Sequence, residues 1–150
     1  MKTQTMVKIT DGISYLFVAL FVYTGSSKLM NLTAFEKVLS RSPLIAGFSE
    51  VLAWSVPVVE ILISLLLIIP ITKKLGLLAA LGLMILFSGY LGYMILSMTD
   101  QELPCSCGGV LSLFSWQQHV WFNLGFIVLG FIGLVLYRKR NYASDTGRRL

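Results

Sequence analysis

Two cysteines and a histidine stand close together in one polar stretch of this chain. Cys105 and Cys107 are its only cysteines, separated by one residue, and His119 is its only histidine. Cysteines at this spacing can close a small, strained disulfide ring, whose strain raises its reduction potential and favours oxidation of other thiols. The ring is too short for a loop-closing staple. The pair therefore predicts thiol–disulfide exchange, with His119 as a nearby cation that would favour the thiolate.

Metal binding is an alternative use of the same three residues. Soft thiolates and an imidazole suit Cu(I) or Zn(II). A closed structural zinc site has four ligands, so this set would need a carboxylate or a second chain to complete it. The preferred interpretation therefore names no metal ligand, and a copper- or zinc-binding membrane protein stays open as a further alternative.

The composition indicates an integral membrane protein. The chain has 150 residues, of which 56% are hydrophobic and only 13% charged, and its mean hydropathy is +0.80. An ordinary soluble domain carries about 25% charged residues. The length allows one domain and no separate globular part. The net charge of +5 is attributed to membrane topology, because no basic patch interleaved with aromatic residues points to nucleic acid.

Four apolar segments are long enough to cross a bilayer core, which takes about 20 residues per helix. Only a short "ITKK" linker separates the second from the third, so these two are expected to form a tight antiparallel hairpin. The sequence predicts an all-α, polytopic bundle of four transmembrane helices within residues 1–137. The expected spans are 9–27, 52–70, 75–98 and 119–137, with an outer loop at 99–118 and a basic, frayed cytoplasmic tail at 138–150.

The positive charges predict the orientation of the bundle. Nine of the twelve Lys and Arg residues fall on the side that holds both termini and the hairpin, and short cytoplasmic loops carry such an excess. We therefore expect both termini inside and the cysteine loop outside. In a bacterium this places the pair in the periplasm, where disulfides persist. The alternative that the first span is a cleaved signal peptide is less favoured, because the sequence has no clear A-x-A-like cleavage site.

Several polar residues of the spans fall in the predicted outer half. Glu60 is about eight residues into the second span, roughly 12 Å deep at 1.5 Å per residue, and an ionisable residue there normally has a partner or a function. His119 and Asn123 are one helical turn apart on one face. The candidate cofactor-binding residues are Glu60, Asn123, Tyr90, Tyr23 and Lys28.

A lipid quinone near Glu60, Tyr90 and Asn123 is the cofactor that this group suggests, although no sequence signature establishes it. Structural roles stay open for the same residues. Lys28 could simply extend its amine to the membrane surface. Tyr23 and Tyr90 could serve only as hydrogen-bonding residues between helices.

Three stretches of the sequence resemble those of a known family. "YTGSSKLMNLTAF" at the end of the first span, "VPVVEILISLLLIIP" around Glu60, and "PCSCGG" followed by "WQQHVWFNLGF" are similar to the MauE branch of the DoxX-like integral membrane proteins. The resemblance covers about residues 10–137. It implies a four-helix membrane bundle, thioredoxin-like partners and disulfide chemistry outside the cytoplasmic membrane. Members encoded with methylamine dehydrogenase are linked to maturation of that enzyme, but nothing in this sequence points to methylamine.

The preferred interpretation is a membrane thiol–disulfide redox protein, either an oxidoreductase or a subunit of one, in the bacterial cytoplasmic membrane. Its expected partners are the lipid bilayer, a periplasmic thioredoxin-fold or other redox protein, and further subunits of an oligomer or membrane complex. No nucleic acid is expected. The alternative is a non-enzymatic assembly or maturation factor, or a scaffold, that holds a partner complex through its helices.

Overall fold

The protein folds as a bundle of helices in a computed structural model that describes residues 2–97 and 116–148. The helices are α1 (Thr3–Met30), α2 (Leu32–Ser40), α3 (Ser49–Ile68), α4 (Lys73–Ser97) and α5 (Trp116–Arg148), and a 3₁₀ turn (Ala46–Phe48) precedes α3. All except α2 contain stretches long and apolar enough to cross a membrane. The predicted all-α fold with four candidate membrane spans is confirmed.

Two features of the helices differ from the sequence-based expectation. The tail does not fray after the fourth span, because α5 continues to Arg148. Residues 134–146 contain no Gly or Pro, and the Arg, Lys and Ala among them are good helix formers. The short helix α2 was not predicted, since nine residues give no signal of membrane-spanning length.

The four long helices form a ring in which each contacts two neighbours. α1 packs against α3 and α5, and α4 packs against the same two helices. Aromatic side chains fill the centre, where the rings of Phe17 and Phe126 meet edge to face with centroids 5.2 Å apart. Many Leu, Ile and Val side chains on the outside of the ring stay exposed, as expected for a surface in contact with lipid.

The turn between α3 and α4 defines one end of the bundle, called here the hairpin end. Pro70 follows the extended residue Ile69, and a residue before proline is disfavoured in helical conformation. The Thr72 hydroxyl donates a hydrogen bond to the carbonyl oxygen of Leu66 at 2.9 Å. At the same end, Lys73 on α4 pairs with Asp11 on α1 at 2.6 Å. These contacts fix the two halves of the bundle against each other.

The opposite end is covered by α2 and is called here the α2 end. The backbone leaves helical geometry at Asn31, which lets α2 turn across the bundle. Phe35 and Leu39 of α2 are buried in a cluster with Ala53 of α3. The buried Ser42 hydroxyl donates a hydrogen bond to Met94 Sδ of α4 at 3.6 Å. The segment after α1 is thereby attached to both α3 and α4.

Gly76 makes the tight hairpin possible, and its replacement provides a test of the packing. A Cβ at Gly76 would lie 2.9 Å from the backbone nitrogen of Leu67, whereas one at Gly82 on the same helix meets nothing within 4 Å. We expect Gly76→Ala to lower the free energy of unfolding by about 1–3 kcal/mol. Gly82→Ala should leave it unchanged or slightly raised. Thermal unfolding in detergent measures both, and equal losses would contradict the assigned packing.

Candidate functional site

A cavity of about 320 Å³ lies at the α2 end, and all five helices contribute to its wall. Most of the lining is aliphatic or aromatic. Leu86, which is 71% exposed on α4, also lines it, so the cavity reaches the lipid-facing surface of the bundle. A mainly apolar cavity with a few converging polar groups is typical of small-molecule sites. The polar lining residues are Thr24, Lys28, Glu60, Tyr90, His119 and Asn123.

A buried ion pair forms the most polar part of this wall. Lys28 Nζ on α1 donates to Glu60 Oε1 on α3 at 2.7 Å. The two residues are only 7% and 1% exposed. Lys28 therefore does not extend to the membrane surface, because its amine turns inward to the carboxylate. Opposite charges removed from water persist when they pair closely and bond well.

Two aromatic rings complete the environment of the Lys28 amine. Its Nζ lies 5.7 Å from the centroid of Phe35 on α2 and 5.5 Å from that of Phe87 on α4. Cations at such distances are attracted by the electron-rich ring faces. Lys28 on α1 therefore contacts groups from α2, α3 and α4. It connects α2, which covers the cavity, to the long helices that form its walls.

Gly25 brings α1 and α3 close enough for the ion pair to form. A Cβ at this position would lie 3.3 Å from Glu60 Oε2 and 3.3 Å from the carbonyl oxygen of Pro57. These separations are tighter than ordinary van der Waals contact. The residue is three positions before Lys28, so it shares the same face of α1. A small residue at this crossing allows the carboxylate to reach the lysine.

The second oxygen of the Glu60 carboxylate is enclosed where α1 and α3 cross. Glu60 Oε2 and Thr24 Oγ1 are both buried, and a Cβ at Gly25 would lie 3.3 Å from Oε2. The Thr24 hydroxyl lies beside the Glu60 side chain, so it can donate to the carboxylate. Lys28, Glu60 and Thr24 therefore form one polar group between α1 and α3, and all three residues also line the cavity.

α5 contributes two further polar residues to the same cavity. His119 and Asn123 are one turn apart, both are buried, and both line the cavity. Tyr90 joins them from α4. Four of the five predicted cofactor-binding residues therefore meet in one place, together with the predicted His119.

Tyr23 lies elsewhere. It is 42% exposed and does not line the cavity. Neighbouring residues on a helix point about 100° apart, so the inward direction of Thr24 turns Tyr23 toward the outside. We leave Tyr23 out of the candidate site.

The two cysteines lie outside the described residues. The connection that contains them joins Ser97, where α4 ends, to Trp116, where α5 begins. The predicted metal alternative therefore concerns residues that the structure only partly covers. Among the described residues, no group of three His, Cys, Asp or Glu side chains could hold a metal ion.

Three residues of this site were missed by sequence reasoning. Thr24, Phe35 and Phe87 surround the ion pair, but each is a residue type that is common in a segment of its kind. Thr24 was the most accessible to prediction, because it stands one turn before Lys28 on the same face. The aromatic residues carried no such signal, since phenylalanine is common in apolar spans.

The fold and this site define a polytopic helical membrane protein with a largely apolar cavity and a buried ion pair at one end. The sequence matches the family described as methylamine utilisation protein MauE over residues 6–136. The chain belongs to this family, and the predicted resemblance is confirmed. No curated protein and no solved structure matches it.

The ion pair provides a stability test with an internal control. Lys28→Met leaves Glu60 buried without its cation, and we expect a loss of about 3–5 kcal/mol in the free energy of unfolding. Adding Glu60→Leu removes the second charge and should restore most of this loss. Lys73→Met should cost less, because the side chain of its partner Asp11 is 34% exposed. Unfolding in detergent measures all three; a double variant as unstable as Lys28→Met would contradict the assignment.

Proposed function

We propose that this MauE-family protein is a membrane thiol–disulfide redox protein in which Cys105 and Cys107 exchange with a thioredoxin-fold partner. The observation that carries the proposal is the cavity at the α2 end. Cys105 follows Ser97 by eight residues and Cys107 precedes Trp116 by nine, so the chain attaches the pair to two helix ends beside this cavity. The excess of positive charge at the other end supports a periplasmic α2 end.

The exchange needs no group beyond the dithiol of the partner and the Cys105–Cys107 disulfide. A thiolate of the partner attacks one sulfur of the Cys105–Cys107 disulfide and forms a mixed disulfide, and the second partner thiolate then releases it. The partner loses two electrons and two protons and gains a disulfide, while the Cys105–Cys107 bond breaks to a dithiol. The reverse steps reduce the partner. The strain expected for a disulfide at this spacing favours the first direction.

Unlike a soluble exchange protein, this protein has a cavity in contact with the bilayer. A redox pair that turns over must regain its starting state from a second carrier. Leu86 opens the cavity wall to lipid, while His119 and Tyr90 line it near the helix ends that hold the cysteine segment. A carrier dissolved in the membrane can therefore enter beside the cysteine segment without crossing water.

The cysteines can be tested by single-turnover exchange. Oxidised protein in liposomes is mixed with reduced thioredoxin as a probe, and alkylation of free thiols measures the disulfide transferred. We expect wild type to oxidise up to one equivalent of thioredoxin. Cys105→Ser, Cys107→Ser and the double variant should fall to the background rate, because none can form the internal disulfide. Ser106→Ala keeps both thiols in the same segment and should retain exchange.

Unfolding measurements on the same variants show whether the fold survives. Exchange at the wild-type rate in the double cysteine variant would refute the proposal. That result would favour the assembly-factor alternative, in which the protein holds a partner complex through its helices and the thiols are not needed.

A further inference from the structure

We propose that the cavity binds the ring of a lipid-soluble quinone, with the Asn123 side-chain amide donating a hydrogen bond to a ring carbonyl and the Tyr90 hydroxyl as a second donor. The binding itself rests on the cavity alone. The use of the bound quinone to restore the Cys105–Cys107 pair rests on the proposed function.

The Asn123 side chain is a polar group that the fold leaves available on the cavity wall. The residue is 9% exposed and lines the cavity. Within residues 2–97 and 116–148 its amide makes no hydrogen bond, and the amide is not fully enclosed by protein. Buried polar groups are nearly always hydrogen-bonded, because leaving one unpaired is costly. The amide therefore marks a place for a polar atom of a ligand.

Tyr90 brings a second neutral group to the same level of the bundle. A Cβ at Gly130 on α5 would lie 3.0 Å from the Leu81 side chain on α4. Asn123 stands seven residues before Gly130, and Tyr90 stands nine after Leu81 on the antiparallel helix. At 1.5 Å per residue the two differ by about 3 Å in height. The Tyr90 hydroxyl also makes no hydrogen bond within the described part of the chain, and the residue lines the cavity.

The charges in the wall argue for a ligand with a neutral head group. The Lys28 amine and the Glu60 carboxylate pair with each other at 2.7 Å, and Thr24 lies beside that carboxylate. The amide and the phenol that remain donate hydrogen bonds without carrying charge. A fatty acid or a phospholipid would bring a charge that neither group can balance, whereas a ring carbonyl is a neutral acceptor.

The size and lining of the cavity suit a ring with an apolar tail. A volume of about 320 Å³ is at the lower end of the range for small-molecule sites and accommodates a substituted ring with the start of a tail. Phe87 and Phe122 in the lining provide aromatic surface against which a flat ring can pack. The opening beside Leu86 lets the rest of the tail remain in lipid.

The binding can be measured without redox turnover. The full chain carrying Cys105→Ser and Cys107→Ser is titrated in detergent with a decyl-substituted benzoquinone, and separately with decylbenzene, which has the ring and tail but no carbonyl. Isothermal calorimetry gives both dissociation constants. We expect the quinone to bind about three- to tenfold more tightly, as a neutral hydrogen bond provides. Equal affinities, tighter binding of decylbenzene or no binding of the quinone would overturn the proposal.

Substitution of Asn123 on the same background locates the hydrogen bond. Asn123→Leu keeps a side chain of similar size without the amide, so it should weaken quinone binding about three- to tenfold and leave decylbenzene binding within about twofold. The matched control Asn141→Leu, at an exposed position further along α5, should change neither affinity. Unchanged quinone binding in Asn123→Leu, or an equal loss for both probes, would overturn the assignment.

A second variant keeps the test decisive if Asn123→Leu does not fold. Tyr90→Phe keeps the ring and removes only the hydroxyl, so it should weaken binding of the quinone by about two- to threefold and leave that of decylbenzene unchanged. A Cys-free parent that does not distinguish the two probes would overturn the proposal whatever the variants do.

The two proposals fail separately. Intact thiol exchange without carbonyl-dependent binding in the cavity refutes only the inference about the quinone. Quinone binding that depends on Asn123, without cysteine-dependent exchange, refutes the proposed function and leaves a quinone-binding membrane protein.

Discussion

The α2 end of this protein is organised around the contact between Lys28 and Glu60. Charged side chains at membrane depth are costly unless they pair or face a polar cavity, and these two do both. The pair joins α1 to α3, and the rings of Phe35 and Phe87 on α2 and α4 enclose the amine. Removing either charged residue would leave the other charge buried without its partner.

The geometry of the pair also explains how two charges are tolerated beside an apolar cavity. Gly25 allows the helices to approach until one carboxylate oxygen meets the lysine, while the other oxygen is enclosed beside Gly25 and Thr24. The opposite charges of Lys28 and Glu60 balance each other, and the polar side chains of Tyr90, His119 and Asn123 complete the polar part of the cavity wall.

The fold could be predicted from the sequence, and so could five of the six polar residues that line the cavity, because both depend on hydropathy and spacing. Long apolar segments specify membrane helices, and the depth of Glu60 within its segment marked it as exceptional. Which side chains turn into the cavity depends on the rotation of each helix about its axis, and hydropathy does not specify that rotation. Tyr23 and Tyr90 looked equivalent in sequence, but only Tyr90 turns into the cavity. The helix α2 depends on the packing of Phe35 and Leu39 against Ala53, which periodicity within nine residues cannot specify. The roles of the cysteines stay a prediction from sequence, since they lie outside the described residues.

The central proposal is that Cys105 and Cys107 cycle between dithiol and disulfide and regain their starting state from a carrier in the membrane, for which the sequence suggests a lipid quinone. Alkylation trapping of both thiols in native membranes, with the pool made oxidised or reduced by added quinone or quinol, tests it most directly. The account predicts that the pair is mainly disulfide when the pool is oxidised and that dithiol accumulates when it is reduced. A pair that stays fully reduced or fully oxidised under both conditions would contradict it, and would point to a metal ligand or a structural disulfide.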